Sequence, residues 1–146
     1  MKVATIIARV VLGLIFVTFG LNMFLGFIHL PPPPEGPARD FMTALFMSHY
    51  VYVVGALQVV GGLILLSGRR VPLGLTLLGP VIVNIFCFHA FMAPAGLPMA
   101  FVVSFLALFL LWRYREYFAG LVKNGGPVLS QSPLQTTATD SAPVKS

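Results

Sequence analysis

Six of the polar side chains within the long apolar runs of this 146-residue chain are the residues best placed to do chemistry. They are Arg9, Asn22, Gln58, Thr76, Asn84 and His89. A polar group in apolar surroundings, above all in a lipid bilayer, is costly, so each one needs a hydrogen-bonding partner or a use. Whether they can act together depends on the elements that hold them.

The composition indicates that these elements are transmembrane helices. Of all residues, 58% are hydrophobic and 9% are charged, whereas a soluble domain has about a quarter charged residues. Four apolar runs predict transmembrane helices over about 3–28, 49–67, 72–92 and 97–117. A tight basic turn, Gly68-Arg69-Arg70, joins the second and third as a hairpin. The predicted fold class is an all-α membrane protein, a four-transmembrane-helix bundle over residues 1–122.

The segment between the first two predicted helices has a different composition. Pro31 to Pro34 predict a stretch of extended polyproline II. Pro37 suits the start of a short helix, predicted over about 38–47. The apolar residues of this short helix share one face, so we expect it to lie in the membrane interface. An ordinary connector and a lid over a site are the alternatives.

The basic residues set the predicted orientation. Eight of the nine lie on one side of the four spans, and only Arg39 lies on the other. By the positive-inside rule, both termini are cytoplasmic. Arg9, close to the start of the first helix, is expected to reach the cytoplasmic headgroups. Residues 123–146 have almost nothing to bury and are predicted to form a disordered cytoplasmic tail. Because the cations lie at the ends of apolar runs, nucleic-acid binding is not expected.

Three of the polar residues are amides predicted at similar depth, in the outer half of the bundle: Asn22, Gln58 and Asn84. Gln58 shares a helical face with Gly55 and Gly62. Small residues let helices approach closely, so this face is expected to pack on protein and not on lipid. The amides are therefore candidates for lining a ligand pocket. The alternative is that they only form hydrogen bonds between helices.

Thr76 is a further pocket candidate because of Pro80. A proline has no N–H to donate, so the carbonyl of Thr76 should be free and the third helix should be kinked. Asn84 lies one turn beyond Pro80 on the same face. A freed carbonyl close to an amide would add polarity to the same pocket.

Arg39 and two histidines are weaker candidates. All three histidines, His29, His49 and His89, are predicted to lie near the outer membrane surface, and Cys87 is close to them. Imidazole side chains can bind a metal ion or haem. The chain has no His-x3-His or Cys-x2-Cys spacing, so neither metal nor haem is expected. Of these residues, His49, His89 and Arg39 are retained as pocket candidates. No catalytic residue is predicted, because the four acids lie outside the spans and no Ser-His-Asp set can be assembled.

Several short motifs follow one another along the predicted helices. They are Arg9-x3-Gly13, Phe19-Gly20-Leu21-Asn22, Leu57-Gln58-Val59-Val60-Gly61-Gly62-Leu63, Gly68 and the run from Pro72 to His89. With them, the chain resembles the DoxX family of small bacterial four-helix membrane proteins over roughly residues 6–118. Members of that family often have Lys near Asn22 and Glu near Gln58. This chain has neutral amides there, so a role for such a pair in carrying charge or protons is not expected.

The resemblance implies an integral protein of the bacterial inner membrane near redox chemistry. The expected function is that of an accessory subunit of a membrane redox system, without catalytic activity of its own, which binds a quinone-like lipophile in the amide-lined pocket. The lipid bilayer is the expected partner, and a redox protein partner and a homo-oligomer are left open. A small oligomeric transporter and a membrane scaffold for a soluble redox enzyme are alternative functions.

Overall fold

The computed structural model describes residues 1–29 and 31–123, and within these residues the chain is helical without strands. The helices are α1 (Lys2–Leu25), α2 (Pro37–Met47), α3 (Tyr50–Ser67), α4 (Val71–Phe91), α5 (Leu97–Arg113) and α6 (Arg115–Lys123), with a short 3-10 turn, Pro94–Gly96, before α5. Four segments are long and apolar enough to cross a membrane: α1, α3, α4 and the continuous stretch Pro94–Arg113. The expected all-α fold is therefore confirmed for the described residues, with four helices long and apolar enough to cross a membrane. The predicted disordered tail lies outside the described residues, apart from Lys123.

Helix α1 ends at Leu25, three residues before the predicted end at residue 28. Gly26 adopts the left-handed conformation, with φ 60°, and its N–H donates to the carbonyl of Asn22. The Asn22 side chain then accepts a hydrogen bond of 2.6 Å from the backbone N–H of Ile28. A glycine cap and an asparagine that binds the following turn together terminate the helix.

The fourth predicted helix, over 97–117, is in fact two helices separated at Tyr114. Tyr114 leaves helical geometry, with φ −101° and ψ 15°. The change of direction lets the half-buried side chains of Tyr114 and Phe118 pack against the core, while Arg115 and Glu116 stay exposed. The apolar run alone did not reveal this break, because no glycine or proline marks the junction of α5 and α6 at Tyr114.

The four long helices form a closed bundle in the order α1, α3, α4, α5, and α5 packs back against α1. Neighbouring helices are antiparallel. The fully buried side chains in the centre are Leu12, Phe16, Leu65, Leu78 and Leu110. We call the end that contains the α1–α2 and α4–α5 connections the proline end, and the opposite end, with the N terminus and the α3–α4 turn, the basic end. Helix α2 packs on α3 at the proline end.

Helices α1 and α3 meet through four glycines spaced seven residues apart on each helix, Gly13 and Gly20 against Gly62 and Gly55. A Cβ atom at Gly62 would lie 2.8 Å from the carbonyl oxygen of Gly13, and one at Gly20 would lie 2.9 Å from that of Gly55. The two backbones are therefore in direct contact, which only glycine permits. We call this contact the glycine seam. It confirms that the glycine face of α3 packs on protein.

Arg9 lies at the basic end of the bundle. Its side chain is half-buried, and its guanidinium lies against Gly68 at the C-terminal end of α3. The carbonyls of a last helical turn carry partial negative charge, so a cation is favourable at this position. Arg9 thus joins α1 to the α3–α4 turn.

Candidate functional site

A cavity of about 280 Å³ lies in the half of the bundle toward the proline end. We call it the amide cavity. Helices α1 to α5 all contribute to its lining, which consists of Ile15, Phe16, Phe19, Met23, Phe41, Met42, Leu45, Val54, Gln58, Val81, Asn84, Ile85, Phe88, His89, Met99, Ala100 and Val103. Almost all of these side chains are aliphatic, aromatic or methionine. The polar atoms come from α3 and α4 alone.

Gln58 is the buried polar residue of this cavity. Its side chain is 3% exposed, and its Oε1 atom is buried without a hydrogen-bonding partner among the described residues. A buried acceptor left in this state costs about 1–3 kcal/mol. The glycine seam holds it there: a Cβ atom at Gly20 would lie 2.9 Å from the Cβ of Gln58, so α3 is pressed against α1 at this position. Gln58 is therefore fixed on a rigid backbone with an unused oxygen.

Asn84 lines the same cavity from α4, but its side chain is exposed. Gln58 therefore lies at the closed side of the cavity and Asn84 toward its open side. In the described part of the chain no hydrogen bond joins these two amides, and the Asn84 side chain makes none to another group. The structure thus brings two of the three predicted amides to one space. Hydrogen bonding between helices, the alternative to a pocket, does not account for this pair.

His89 also lines the amide cavity, from the end of α4. Its Nδ1 atom lies 3.0 Å from the carbonyl oxygen of Ala93. Because a carbonyl only accepts hydrogen bonds, Nδ1 is the donor in this contact, and the tautomer with its proton on Nδ1 leaves Nε2 as an acceptor. The ring is packed against Gly96, where any larger residue would collide with it. On an ideal helix Asn84 and His89 lie far apart, yet the cavity is wide enough to include both.

Helix α2 covers the amide cavity at the proline end. Three of the four residues of the apolar face predicted from the sequence, Phe41, Met42 and Leu45, line the cavity, whereas the fourth, Phe46, is exposed. The ring of Phe41 lies 5.6 Å from that of Phe88 on α4, measured between centroids. This position is compatible with the interfacial helix and with the lid. Arg39 lies on the opposite face of α2, in an exposed ion pair of 2.9 Å with Glu35, and is not part of the cavity lining.

Two further pocket candidates lie elsewhere. The Asn22 amide is bonded to the backbone of Ile28, where it caps α1. Thr76 is exposed, and its hydroxyl donates to the carbonyl of Pro72 at 2.9 Å. It lines an apolar groove of about 560 Å³ between α4 and α5 that does not include either amide of the cavity. The predicted meeting of Asn22 and Thr76 with Gln58 and Asn84 is therefore not observed.

His49 is likewise not part of the cavity lining. It precedes α3 in the left-handed conformation, with φ 60°, and its exposed ring lies 5.9 Å from that of Tyr52. Across the described residues, no group of three or more His, Cys, Asp or Glu side chains is arranged to hold a metal ion. Cys87 is exposed and free.

The sequence did not single out the apolar side chains that complete the site. Phe19, Phe88, Met23, Met42 and Met99 form much of the cavity wall. In the sequence they look the same as core residues, because burial against protein and burial against a ligand select the same residue types. The one available signal was the apolar face of α2, which carries Met42.

No protein-family model matches this chain, and the comparisons with characterised proteins and with solved structures also find no match. The resemblance to the DoxX family therefore stays a hypothesis, to be weighed together with the geometry of the amide cavity.

Proposed function

We propose that this chain is a DoxX-like multi-pass protein of the bacterial inner membrane that binds a quinone-like lipophile in the amide cavity, as an accessory subunit of a membrane redox system. The observation that carries the proposal is the buried Oε1 atom of Gln58, which has no partner among the described residues and lies in a cavity lined mostly by apolar side chains. A ligand that donates to this oxygen would remove the cost of leaving it unpaired.

A quinone and its quinol suit the groups available. The amide N–H groups of Gln58 and Asn84 can donate to quinone carbonyls. The Oε1 atom of Gln58 and the Nε2 atom of His89 can accept from quinol hydroxyls. Phenylalanine and methionine side chains provide apolar and polarizable walls for a flat ring. The polar and apolar parts of the cavity therefore match the two parts of such a headgroup.

The volume limits how much of the ligand is enclosed. Cavities that enclose drug-sized ligands measure about 300–1,000 Å³, and the amide cavity, at about 280 Å³, is slightly smaller than this range. It accommodates a single substituted ring and excludes a long isoprenoid tail. The tail would leave on the open side, next to Asn84, and lie along the outside of the bundle.

The titratable groups in the cavity lining support the role of an accessory subunit. Among the described residues, His89 is the one histidine in the cavity lining, and neither Cys87 nor a carboxylate joins it there. A single imidazole can exchange a proton with a bound quinol but supplies no electrons. Electrons would therefore pass between the ligand and a redox partner: to the partner when a quinol is oxidised, and from the partner when a quinone is reduced.

The proposed orientation places the basic end in the cytoplasm and α2 in the outer interface. Arg69, Arg70 and Arg113 lie at the basic end, whereas Arg39 lies on α2. Reporter fusions after Gly68 and after Lys123 should therefore report a cytoplasmic location, and a fusion after Pro33 an external one. A cytoplasmic signal from the Pro33 fusion would contradict the topology and, with it, the assignment of α2 to the outer side.

Ligand binding can be tested on protein purified from bacterial membranes in mild detergent. Quinone per protein is measured after solvent extraction, for the unchanged chain and for Gln58→Met and Asn84→Leu. We expect the quinone content to fall about tenfold in each variant, because each loses a hydrogen bond in an apolar site. Thr76→Val is the matched control, since it removes a polar group from a span outside the cavity, and it should retain quinone.

Two results would contradict the proposal. Equal quinone in all four proteins would mean that the lipid is carried by the detergent micelle. A preparation without any redox-active lipid, but with a soluble redox enzyme bound in fixed ratio, would instead support a scaffold function.

A further inference from the structure

A second cavity, of about 390 Å³, lies at the basic end between α1, α5 and α6. Its charged and aromatic lining consists of Lys2, Arg9, Arg113, Tyr114, Glu116 and Tyr117. We call it the basic cavity. Three of these side chains are cationic and one is a carboxylate. The cavity is at the far end of the bundle from Gln58, so it is independent of the amide cavity.

The cations of the basic cavity are not neutralised by their surroundings. Within the described residues, the one ion pair shorter than 4.0 Å is that of Arg39 with Glu35, at the proline end. Glu116 therefore lines the basic cavity without forming a close salt bridge to any of its three cations. Like charges around one cavity repel each other, and an anion placed among them would be stabilised by all three.

We infer that the basic cavity binds the phosphate group of an anionic phospholipid. A phosphate accepts several hydrogen bonds, which suits the guanidinium of Arg113, the ammonium of Lys2 and the hydroxyls of Tyr114 and Tyr117. Basic pockets between transmembrane helices on the cytoplasmic side are suited to anionic headgroups of this kind. The inference rests on the proposed membrane location but not on quinone binding.

The walls of the basic cavity favour a lipid over a soluble phosphate compound. Ile6 lines it and is 51% exposed, so an apolar surface begins at the cavity and continues along α1. Trp112 and Tyr117, 52% and 71% exposed, lie at the same end, and such aromatic residues are typical of the headgroup level. A phosphate held by Lys2 and Arg113 would leave its acyl chains along Ile6.

The three cations have different roles. The Arg9 guanidinium already lies against Gly68, so its position is fixed by α3 and it contributes charge more than direct contact. Lys2 and Arg113 are exposed and can reach a ligand directly. Their removal should weaken binding without disturbing the bundle, which makes them the residues to change.

The test is native mass spectrometry of the full chain in detergent, titrated with phosphatidylglycerol or with phosphatidylcholine. We expect the phosphatidylglycerol to bind more tightly than the zwitterionic lipid. Lys2→Gln with Arg113→Gln should weaken phosphatidylglycerol binding about thirtyfold, since each basic residue near an anionic headgroup contributes about a fivefold factor. Arg69→Gln with Arg70→Gln is the matched control, because it removes the same charge at the same end outside the cavity, and it should leave binding unchanged.

Equal weakening in both double variants would overturn the inference, because it would show attraction to a diffuse basic surface and not a site. Equal binding of the two lipids would overturn it as well. Displacement of phosphatidylglycerol by excess inorganic phosphate would assign the site to a soluble phosphate compound and so reject a lipid. Lys2→Gln alone, at an exposed position next to the N terminus, should still weaken binding about fivefold if the double variant fails to fold.

Discussion

The glycine seam and the amide cavity lie side by side on α3 and are packed in opposite ways. At Gly55 and Gly62 the backbone of α3 touches that of α1. At Gln58, between those glycines, the side chain enters a cavity of about 280 Å³ and leaves an oxygen unpaired. The contrast teaches that a rigid contact can hold an unfavourable group in place.

Gly62→Ala should have the largest effect on stability. The new methyl group would meet the carbonyl oxygen of Gly13 at 2.8 Å and the backbone nitrogen of Val17 at 3.0 Å. Both are main-chain atoms that cannot rotate away, so α1 and α3 must separate. We expect the free energy of unfolding, measured by titration with a denaturing detergent, to fall by about 2–3 kcal/mol.

Gly79→Ala is the control for that experiment. A Cβ atom at Gly79 would have no neighbour within 4 Å. Alanine also favours the helix over glycine, so this variant should be as stable as the unchanged chain or more stable, by up to about 1 kcal/mol. If Gly62→Ala were equally harmless, the seam would be looser than the distances indicate and would not explain how Gln58 is held.

Exchanging Gln58 or Asn22 for an apolar side chain should change the free energy of unfolding less than Gly62→Ala does, and the two changes should have opposite signs. Gln58→Met keeps the length of the side chain and removes the unpaired oxygen, so the free energy of unfolding should rise by about 1–2 kcal/mol. Asn22→Leu removes the two hydrogen bonds between the Asn22 side chain and the backbone of Ile28. The free energy of unfolding of this variant should therefore fall by about 1 kcal/mol. A loss of stability in Gln58→Met would indicate a structural partner for Gln58 and contradict its role in ligand binding.

Asn84→Leu should have the smallest effect. Its side chain is exposed and makes no hydrogen bond to another described residue, so stability should change by less than about 0.5 kcal/mol. The same variant should lose quinone, which separates binding from stability at this position. The measurement is the same detergent titration, carried out on delipidated protein. A loss of more than about 1 kcal/mol would show that Asn84 connects two helices.

Much of the fold could be predicted because it depends on composition and on local signals. Apolar runs of sufficient length gave the four long helices, and Gly68 with the basic residues after it gave the α3–α4 turn. The short helix α2 was also predicted, from Pro37 and from an apolar stripe. The end of α1 and the break at Tyr114 were not, because they depend on contacts of Asn22 and Phe118 with residues several positions away.

The site was predictable only in part. Matching depth and a glycine face correctly placed Gln58 and Asn84 in the same region. The argument from depth also placed Asn22 in the pocket, but the amide of Asn22 instead forms hydrogen bonds that cap the end of α1. The argument from Pro80 placed Thr76 in the pocket as well, but Thr76 lines the groove between α4 and α5. A single sequence gives the depth of a residue but not the rotation of its helix relative to distant neighbours. His89 was placed by the packing of its ring on Gly96, a contact without a sequence signature.

The exposure of Asn84 on a helix long and apolar enough to cross a membrane has a consequence for how affinity must be measured. In the proposed arrangement, a ligand that enters next to Asn84 comes from the lipid phase. Its relevant concentration is then its mole fraction among lipids, and its concentration in water is immaterial. The apparent dissociation constant should increase in proportion to the amount of detergent or lipid present, because added amphiphile dilutes the ligand. Values from different preparations become comparable only after this normalisation.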